Sequence, residues 1–536
     1  MLPTKLAFLL CQLLSLALAV DPTVNLICNK YSGYSTPNGI TQWLGIRYAA
    51  APLGDLRFAP PQDPPCNFTA TQDATQHGPI CISVGSSPPS SGTSEDCLFL
   101  DVYAPSNATR NSRLPVFFFI QGGGFSVNSN PNFNGAGLIE ASDYNIIVVT
   151  FNYRVGPYGF ITNGNRIKAN NGLRDQRKAL QWVNRYISAF GGDPNHVVLG
   201  GDSAGAASIS LQMIAYGGRN SGLFHGAAAE SVSFAPVLTI AQSQYQYDNF
   251  TMRLGCNGNG TDSLACLRSK TSTELQTANQ VWPYPGLSQA PIYMWNPVLD
   301  YDFITDYTYS AFAKGKFVKI PVIYGDDTNG GTVFTPQTTS TLDQSNQWIR
   351  AQFPNITDQQ LQTIDEMYPN PNDSCPSTGC YWRQVSNVYG DMRYMCPTLY
   401  ISSAMAKYGV SSTYTYRYNV EDPTQVAQGY GVPHTVELAA IWGPQNTNGS
   451  PPTSYLSNGT NIEVIPVIQA YWTSFIRTLD PNTYKVPEAA TWEKWDPNEE
   501  NRLLFETGGS TTMENVDDDT KTHCQFFASI GVDIQQ

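Results

Sequence analysis

The sequence predicts an α/β protein with a large, mostly parallel central sheet flanked by helices. Short apolar runs rich in β-branched and aromatic residues recur along the chain, as expected of strands buried on both faces. Between two of these runs, residues 173–190 place apolar side chains at helical spacing. Strands that alternate with helices form a parallel sheet covered on both sides. The apolar runs are residues 116–120, 146–151, 197–200, 320–324 and 414–418.

The chain is predicted to form a single domain over residues 20–536. Its length of 536 residues would allow several domains. However, no low-complexity linker, charge block or internal repeat divides it. A net charge of −13 with only 14% charged residues indicates an acidic protein with a large core. This charge argues against nucleic acids and anionic membrane surfaces as partners.

The N-terminus has the pattern of a secretory signal peptide. Lys5 precedes an apolar run, and residues 17–19 (Ala-Leu-Ala) form a small-residue cleavage pattern. The run is too short to span a bilayer, and no later stretch reaches the roughly 18 apolar residues that spanning requires. We therefore predict that residues 1–19 are removed and that the mature protein is secreted, extracellular and without a membrane anchor.

Secretion predicts oxidised cysteines and glycosylated asparagines. Cys11 would leave with the signal peptide, and the ten remaining cysteines fit five disulfides, although ten allow many pairings. Metal ligation is the alternative. It is weak because no CxxC pair is present and the five histidines are scattered, so we predict no metal and no cofactor. Eight Asn-x-Ser/Thr sequons predict N-glycans: Asn67, Asn107, Asn249, Asn259, Asn355, Asn372, Asn448 and Asn458.

Ser203 is the candidate nucleophile. Residues 200–205 (GGDSAG) match G-x-S-x-G, a pattern that chance alone can produce. Its context strengthens the match, because a strand pattern precedes it and a helical stretch follows, as a nucleophile elbow requires. Gly201 and Gly205 would tolerate the strained turn, and the hydroxyl would stand at a helix N-terminus that favours negative charge. A tight turn without chemistry is the alternative.

A glycine-rich stretch supplies candidate donors for an oxyanion. Residues 114–126 (LPVFFFIQGGGFS) read as a strand followed by three glycines. The backbone amides of Gly123 and Gly124 can approach a substrate closely, and the amide of Ala204 is a third candidate donor. A structural turn and a phosphate cradle are the alternatives. No Lys-Ser/Thr follows the glycines, which excludes a P-loop.

These motifs resemble those of the type-B carboxylesterase/lipase family, which includes the cholinesterases and secreted fungal lipases. Residues 190–205 match its serine-site signature, and residues 94–105 match its second signature, with Asp101 where asparagine is usual. The resemblance implies the α/β-hydrolase fold, a Ser–acid–His triad in that chain order, and an oxyanion hole at Gly123, Gly124 and Ala204. Further matching blocks are residues 45–61, 152–160 and 171–183.

The same resemblance implies further roles. His434 matches the general base, and Thr435 departs from the usual glycine that follows it. Asp202, Ser233 and Glu437 match a buried acidic network behind the serine, with Asp202 shorter than the usual glutamate. The family's two best-kept disulfides would be Cys81–Cys97 and Cys256–Cys266, and Cys375–Cys380 is proposed from its short loop.

The acid of the triad is absent from its usual place, because Gly330 occupies the position of the family's glutamate. We expect a strand to end at 322–324, with Gly325 as the turn that follows. Asp327, or alternatively Asp326, could supply the acid. A carboxylate from elsewhere, or a water, could complete the site instead. The third alternative is a Ser–His dyad in which both aspartates form a solvated turn, and loss of the acid typically lowers turnover by about 10⁴-fold.

The sequence therefore predicts a secreted carboxylic ester hydrolase that acts on a small-molecule ester through an acyl-enzyme. The Cys81–Cys97 loop encloses fifteen residues, mostly Ser, Pro and Gly, too short and polar for an amphipathic lid helix. This favours an esterase over an interfacial lipase. A repurposed fold that catalyses a lyase, cyclase or acyl-transfer step is an alternative, which the emptied glutamate position favours. A non-catalytic binding protein is a further alternative, which the joint presence of serine, histidine and glycines disfavours.

Overall fold

The computed structural model describes residues 20–67, 70–164, 166–370, 378–447, 449 and 451–536. The predicted signal peptide at residues 1–19 lies outside the described residues. The same is true of the sequons at Asn372 and Asn448, and of Cys375 in the proposed Cys375–Cys380 pair.

The centre of the described chain is an eleven-stranded sheet. Its spatial order is β11-β10-β9-β8-β7-β6-β4-β5-β3-β2-β1. The strands from β10 to β5 in this order pair in parallel, and antiparallel strands close both edges. The predicted fold class is thereby confirmed. The strands are β1 (Tyr34–Ser35), β2 (Ile40–Arg47), β3 (Phe99–Pro105), β4 (Leu114–Ile120), β5 (Ile147–Phe151), β6 (Gly192–Asp202), β7 (Gly226–Glu230), β8 (Val322–Asp327), β9 (Thr413–Asn419), β10 (Asn501–Glu506) and β11 (Thr511–Asn515).

Helices cover both faces of this sheet. Those of the described chain are α1 (Ala136–Ala141), α2 (Gly156–Phe160), α3 (Asn171–Tyr186), α4 (Ala204–Gly218), α5 (Ile240–Arg253), α6 (Ser263–Ser269), α7 (Ser272–Ala278), α8 (Thr308–Ala313), α9 (Leu342–Gln352), α10 (Asp358–Met367), α11 (Trp382–Gly390), α12 (Cys396–Lys407), α13 (Pro423–Ala427), α14 (Leu438–Trp442), α15 (Val464–Thr478) and α16 (Asp518–Ile530). Short 3₁₀-helices span Gly54–Leu56, Ile187–Phe190 and Thr453–Tyr455, and a π-helical turn spans Asp391–Met395.

Short strands outside the main sheet form small accessory sheets. Thr23–Asn25, Lys30–Ser32 and Thr71–Asp73 pair together, as do Ile80–Cys81 with Thr93–Ser94 and Leu238–Thr239 with Val298–Leu299.

The core lies on both faces of the sheet because side chains alternate along each buried strand. On β4, Phe118 packs into one hydrophobic cluster and Phe117 into the other. Val149 and Val148 of β5 divide in the same way. Parallel strands buried on both faces bring their carboxyl ends to one edge of the sheet, where β6, β7 and β8 end in acidic residues.

Strand β8 continues beyond its predicted end, and the predicted turn at Gly325 is wrong. Gly325 lies inside the strand, where a Cβ atom would stand 2.0 Å from the Tyr416 ring on β9. Asp326 and Asp327 are therefore strand residues, with exposed fractions of only 1% and 3%. The alternative in which both belong to a solvated turn is wrong for the same reason.

Disulfides join distant parts of the described chain. They include Cys81–Cys97 and Cys256–Cys266, which the family resemblance implied. Cys28–Cys66 and Cys396–Cys524 are also present. The loop closed by Cys81–Cys97, all of which is described, contains one short strand and no helix. Across the described ranges, no helix has the length and apolar character needed to cross a bilayer.

Candidate active site

Ser203 lies at a sharp turn between β6 and α4. Its backbone angles, φ 53° and ψ −120°, are strained for a residue with a side chain. A Cβ atom at Gly205 would stand 1.8 Å from the carbonyl oxygen of Ile120, and one at Gly201 would stand 2.8 Å from the backbone of Gly205. The turn therefore requires both glycines, and it projects the serine at the start of a helix.

The glycine loop after β4 presents unused backbone amides. Gly123 and Gly124 have φ values of 109° and 58°, and a Cβ atom at Gly124 would stand 2.4 Å from the Tyr293 ring. Neither amide donates a hydrogen bond to any residue that the structure describes. Ala204 is the first residue of α4, so its amide has no acceptor within the helix. All three predicted oxyanion donors are thus free.

The His434 ring lies between two aromatic rings. The centroids of Tyr394 and Phe334 are 4.2 and 5.2 Å from that of the imidazole. Both ring nitrogens are buried and have no hydrogen-bond partner among the described residues, so His434 is not bonded to Ser203. Burial, together with the charge of Arg393, lowers the pKa of His434 to about 3. The imidazole is therefore neutral, the form that accepts a proton.

The structure separates the two candidate acids, because neighbouring strand residues face opposite sides of the sheet. Asp327 Oδ2 accepts hydrogen bonds from Ser231 Oγ at 2.7 Å and from the Thr435 amide at 2.6 Å. Its Oδ1 is buried without a partner among the described residues. Asp326 lies on the other side, where the charge of Arg502 acts on it. Of the two, Asp327 is the one bonded to the residue next to His434.

Ser231 joins Asp327 to Glu437. Its hydroxyl lies 2.7 Å from Glu437 Oε1 as well as from Asp327, and Tyr416 donates to the same glutamate oxygen at 3.1 Å. Since a hydroxyl has one proton, one of the two carboxyls holds a proton of its own. Burial raises the pKa of both. The pair therefore carries a single negative charge.

The prediction that Ser233 belongs to this acidic network is wrong. Ser233 Oγ accepts a hydrogen bond of 2.9 Å from Arg393 Nε, whereas Ser231, two residues earlier, contacts Glu437. Ser231 follows directly after β7 with φ 53°, and this turn aims its side chain at the carboxyls. A resemblance in sequence could not distinguish two serines on either side of one valine.

Other buried carboxyls stand at the same sheet edge. Asp202 Oδ1 accepts from the Gly122 amide at 2.8 Å, and burial raises the pKa of Asp202 to about 7. Glu230 ends β7 and accepts from Trp472 Nε1 at 2.8 Å; no sequence motif had indicated it. Among the described residues, no group of three or more His, Cys, Asp or Glu side chains could hold a metal ion.

A tyrosine lies beside the position where the family has its glutamate. A Cβ atom at Gly330 would stand 3.3 Å from the Tyr394 ring, which itself contacts His434. Tyr394 and Arg393 belong to the π-helical turn between α11 and α12, a rare geometry often found at functional sites. Neither residue carries a sequence signal, because a π turn has no motif of its own.

The family model of the carboxylesterases, "Carboxylesterase family", matches residues 21–527. The chain belongs to the carboxylesterase family. It is therefore a carboxylic ester hydrolase, and the predicted α/β-hydrolase fold is confirmed. The crystal structure of Aspergillus niger EstA matches this carboxylesterase with a TM-score of 0.92 and 42% identity, covering 96% of this chain and 99% of that one.

Curated relatives of this carboxylesterase are fungal lipases by name. Secreted lipase 4 of Gibberella zeae is 28% identical over 92% of this chain and 88% of its own length. Lipase 4 of Diutina rugosa is 32% identical over 74% of this chain and 79% of its own length. Lipase 1 of Geotrichum candidum is 30% identical over 71% of this chain and 77% of its own length. Each of these similarities covers more than two thirds of both proteins.

The stability of this carboxylesterase should fall as pH rises. Burial raises the pKa of Asp326 from 3.8 to about 8, so the folded protein holds a proton that the unfolded chain releases. That stabilisation is complete below about pH 4 and is lost towards about pH 8, at up to ~1.4 kcal/mol per pH unit. We expect the midpoint of thermal unfolding to drop between about pH 5 and pH 8, and to drop less in Asp326→Asn.

A matched control for this comparison is Asp143→Asn, because Asp143 is exposed. This variant should follow the pH dependence of the unchanged protein. Equal drops in Asp326→Asn and the unchanged protein would contradict the assignment of the buried proton to Asp326.

Proposed function

We propose that this carboxylesterase is a secreted enzyme that hydrolyses small soluble esters through an acyl-enzyme on Ser203. The observation that carries the proposal is the strained turn at Ser203, with φ 53°, beside three unused backbone amides. A turn of this kind exposes a hydroxyl to a substrate carbonyl. The amides of Gly123, Gly124 and Ala204 would then receive the negative charge that develops on the carbonyl oxygen.

In the proposed reaction, Ser203 Oγ attacks the ester carbonyl carbon and His434 takes the hydroxyl proton. His434 then gives this proton to the departing alcohol, and the acyl group remains on Ser203. A water molecule, deprotonated by His434, attacks the acyl-enzyme. His434 then returns the proton to Ser203 Oγ as the bond to the acyl group breaks and the acid is released. His434 makes no hydrogen bond to Ser203 in the free enzyme, and such bonds often tighten only when substrate binds.

We propose Asp327 as the acid of the triad. Asp327 Oδ1 and His434 Nδ1 are both buried without partners, and the bond from the Thr435 amide to Asp327 holds their residues together. Glu437 also accepts hydrogen bonds, from the hydroxyls of Ser231 and Tyr416, so both carboxyls of the pair have donors that favour the charged form. We propose that the single charge of the pair resides on Asp327 when His434 takes a proton, because the imidazolium then favours a carboxylate beside it. The chain order Ser203, Asp327, His434 is also the order expected for this fold.

Secretion and glycosylation are part of the proposal. Relatives are named secreted lipases, and disulfides join several parts of the described chain. Disulfides form and persist in oxidising compartments. We propose that residues 1–19 are removed, that residues 20–536 form one domain, and that some of the sequons carry N-glycans.

Activity on a soluble ester should show no jump at an oil–water interface. The loop closed by Cys81–Cys97 contains no helix that could act as an apolar lid. We expect hydrolysis of 4-nitrophenyl butyrate in solution, and no increase when tributyrin passes its solubility limit; pH-stat titration measures both. A steep rise at that limit would make the protein an interfacial lipase. No hydrolysis of either ester would contradict the proposed function itself.

A further inference from the structure

Arg393 is a buried cation without a counter-ion. Arg393 is only 3% exposed, and its Nε donates a hydrogen bond to the neutral hydroxyl of Ser233. In the described part of the chain, no carboxylate lies within ion-pair distance of its guanidinium. Buried arginines are almost always paired, because an uncompensated charge in the interior is costly. Such an exception calls for a partner from outside the protein.

The surroundings of Arg393 are aromatic. The guanidinium carbon lies 5.7 Å from the centroid of Tyr293 and 5.6 Å from that of Tyr389. Tyr284 and Tyr394 are also among its close neighbours. Burial raises the pKa of these phenols, so they are neutral at neutral pH. Cation–π contacts help to hold the guanidinium in place, but they leave its charge uncompensated.

The position of Arg393 relates it to the catalytic groups. Tyr394, the next residue, contacts the His434 ring, and Tyr293 packs against Gly124 in the oxyanion loop. Ser233, which accepts from Arg393, lines a narrow cavity with Phe125 and Ala207, close to the serine turn. The charge of Arg393 reaches His434, where it contributes to the lowered pKa. The guanidinium is therefore within electrostatic reach of the general base.

The terminal nitrogens of this arginine have only neutral polar neighbours among the described residues. Neither Nη1 nor Nη2 donates to a carboxylate or a carbonyl there, and the Tyr389 hydroxyl is the side-chain acceptor beside them. A planar guanidinium whose present acceptors are neutral hydroxyls matches a carboxylate, which can accept two parallel hydrogen bonds. The guanidinium is already removed from water in the folded protein, so binding a carboxylate adds no further desolvation cost for the arginine.

We propose that Arg393 binds a carboxylate of the substrate, so that this enzyme prefers esters with a second, ionised acid group, such as hemiesters of dicarboxylic acids. The inference rests on the proposed function at Ser203. The protein as a whole has a net charge of −13 and would repel an anionic substrate. A local cation is therefore needed to bind one, and we assign this role in substrate selection to Arg393.

The test compares two esters that differ in one group. 4-Nitrophenyl hydrogen glutarate and 4-nitrophenyl pentanoate have the same chain length, with a carboxylate in place of the terminal methyl. At fixed ionic strength, we expect kcat/KM of the unchanged enzyme to favour the glutarate ester. Arg393→Gln should lower the ratio of the two kcat/KM values by about 10- to 100-fold, and Arg393→Lys should keep part of it.

Arg253→Gln is the matched control, because it removes the same charge from an exposed arginine whose guanidinium lies over the Trp282 ring. Its ratio should stay at that of the unchanged enzyme. The inference would be overturned if the unchanged enzyme does not prefer the glutarate ester, or if Arg393→Gln has the same ratio of kcat/KM values as the unchanged enzyme. Either result would leave the proposed ester hydrolysis intact. If neither ester is hydrolysed, the proposed function fails instead.

A second measurement covers the case in which Arg393→Gln does not fold. Glutarate and pentanoate are compared as competitive inhibitors of 4-nitrophenyl pentanoate hydrolysis by the unchanged enzyme. The inference requires stronger inhibition by glutarate, whose second carboxylate can reach Arg393. Equal inhibition by the two acids would overturn it.

Discussion

Ser203→Ala is expected to lower ester turnover by about 10⁵- to 10⁶-fold while the protein keeps its fold. The substitution removes the oxygen that is proposed to form the covalent bond to the acyl group, and alanine can adopt the same turn. Oxyanion binding alone should leave a small residual rate above that of water. The measurement is kcat for 4-nitrophenyl butyrate, together with the melting temperature of both proteins.

The control for this loss is Ser269→Ala, which changes an exposed serine at the end of α6 and should retain full turnover. A fluorophosphonate should form an adduct on Ser203 in the unchanged enzyme and none on the alanine variant, as peptide mass spectrometry would show. Retention of turnover in Ser203→Ala, or an adduct elsewhere, would refute the nucleophile.

Asp327→Asn is expected to lower kcat by about 10⁴-fold, the typical cost of losing the acid that orients the histidine. Asparagine can still accept from the Thr435 amide, so the local backbone should persist. It cannot stabilise the imidazolium that forms when His434 takes a proton. The measurement is kcat and KM for the same soluble ester over a range of pH.

Asp326→Asn is the matched comparison, because Asp326 is the neighbouring strand residue and is equally buried, but it faces the other side of the sheet. We expect it to retain at least a tenth of the turnover, an allowance of about 1.4 kcal/mol. Similar losses in both variants would point to a structural role for the pair. Little loss in Asp327→Asn would favour a Ser–His dyad or an acid from elsewhere.

Sequence patterns were sufficient for the parts of the fold that depend on local chemistry. The apolar run at 116–120 lies in β4, and the run at 146–151 coincides with β5 except for its first residue, because β-branched and aromatic residues suit strands buried on both faces. The residues around Ser203 form the predicted strand, turn and helix. In each case the residues that decide the structure are neighbours in the chain.

The sequence failed where the structure depends on contacts between distant segments. Gly325 looks like a turn residue, yet it is a strand residue that makes room for Tyr416, which lies 91 positions later. Ser231 and Ser233 are chemically identical, and only the surrounding carboxyls and Arg393 distinguish them. The surroundings of His434 were also missed, because the π-helical turn that carries Tyr394 is a product of packing.

The Cys396–Cys524 bond ties the segment beside the base to the C-terminal helix α16. Cys396 follows directly after the π-helical turn that carries Arg393 and Tyr394. Reduction of this disulfide would remove the covalent link that fixes one end of the turn. The positions of the His434 imidazole and of the Arg393 guanidinium would then both be less well fixed. Thiol reductants would therefore lower the activity before they unfold the sheet, which makes the activity of this enzyme dependent on oxidising conditions.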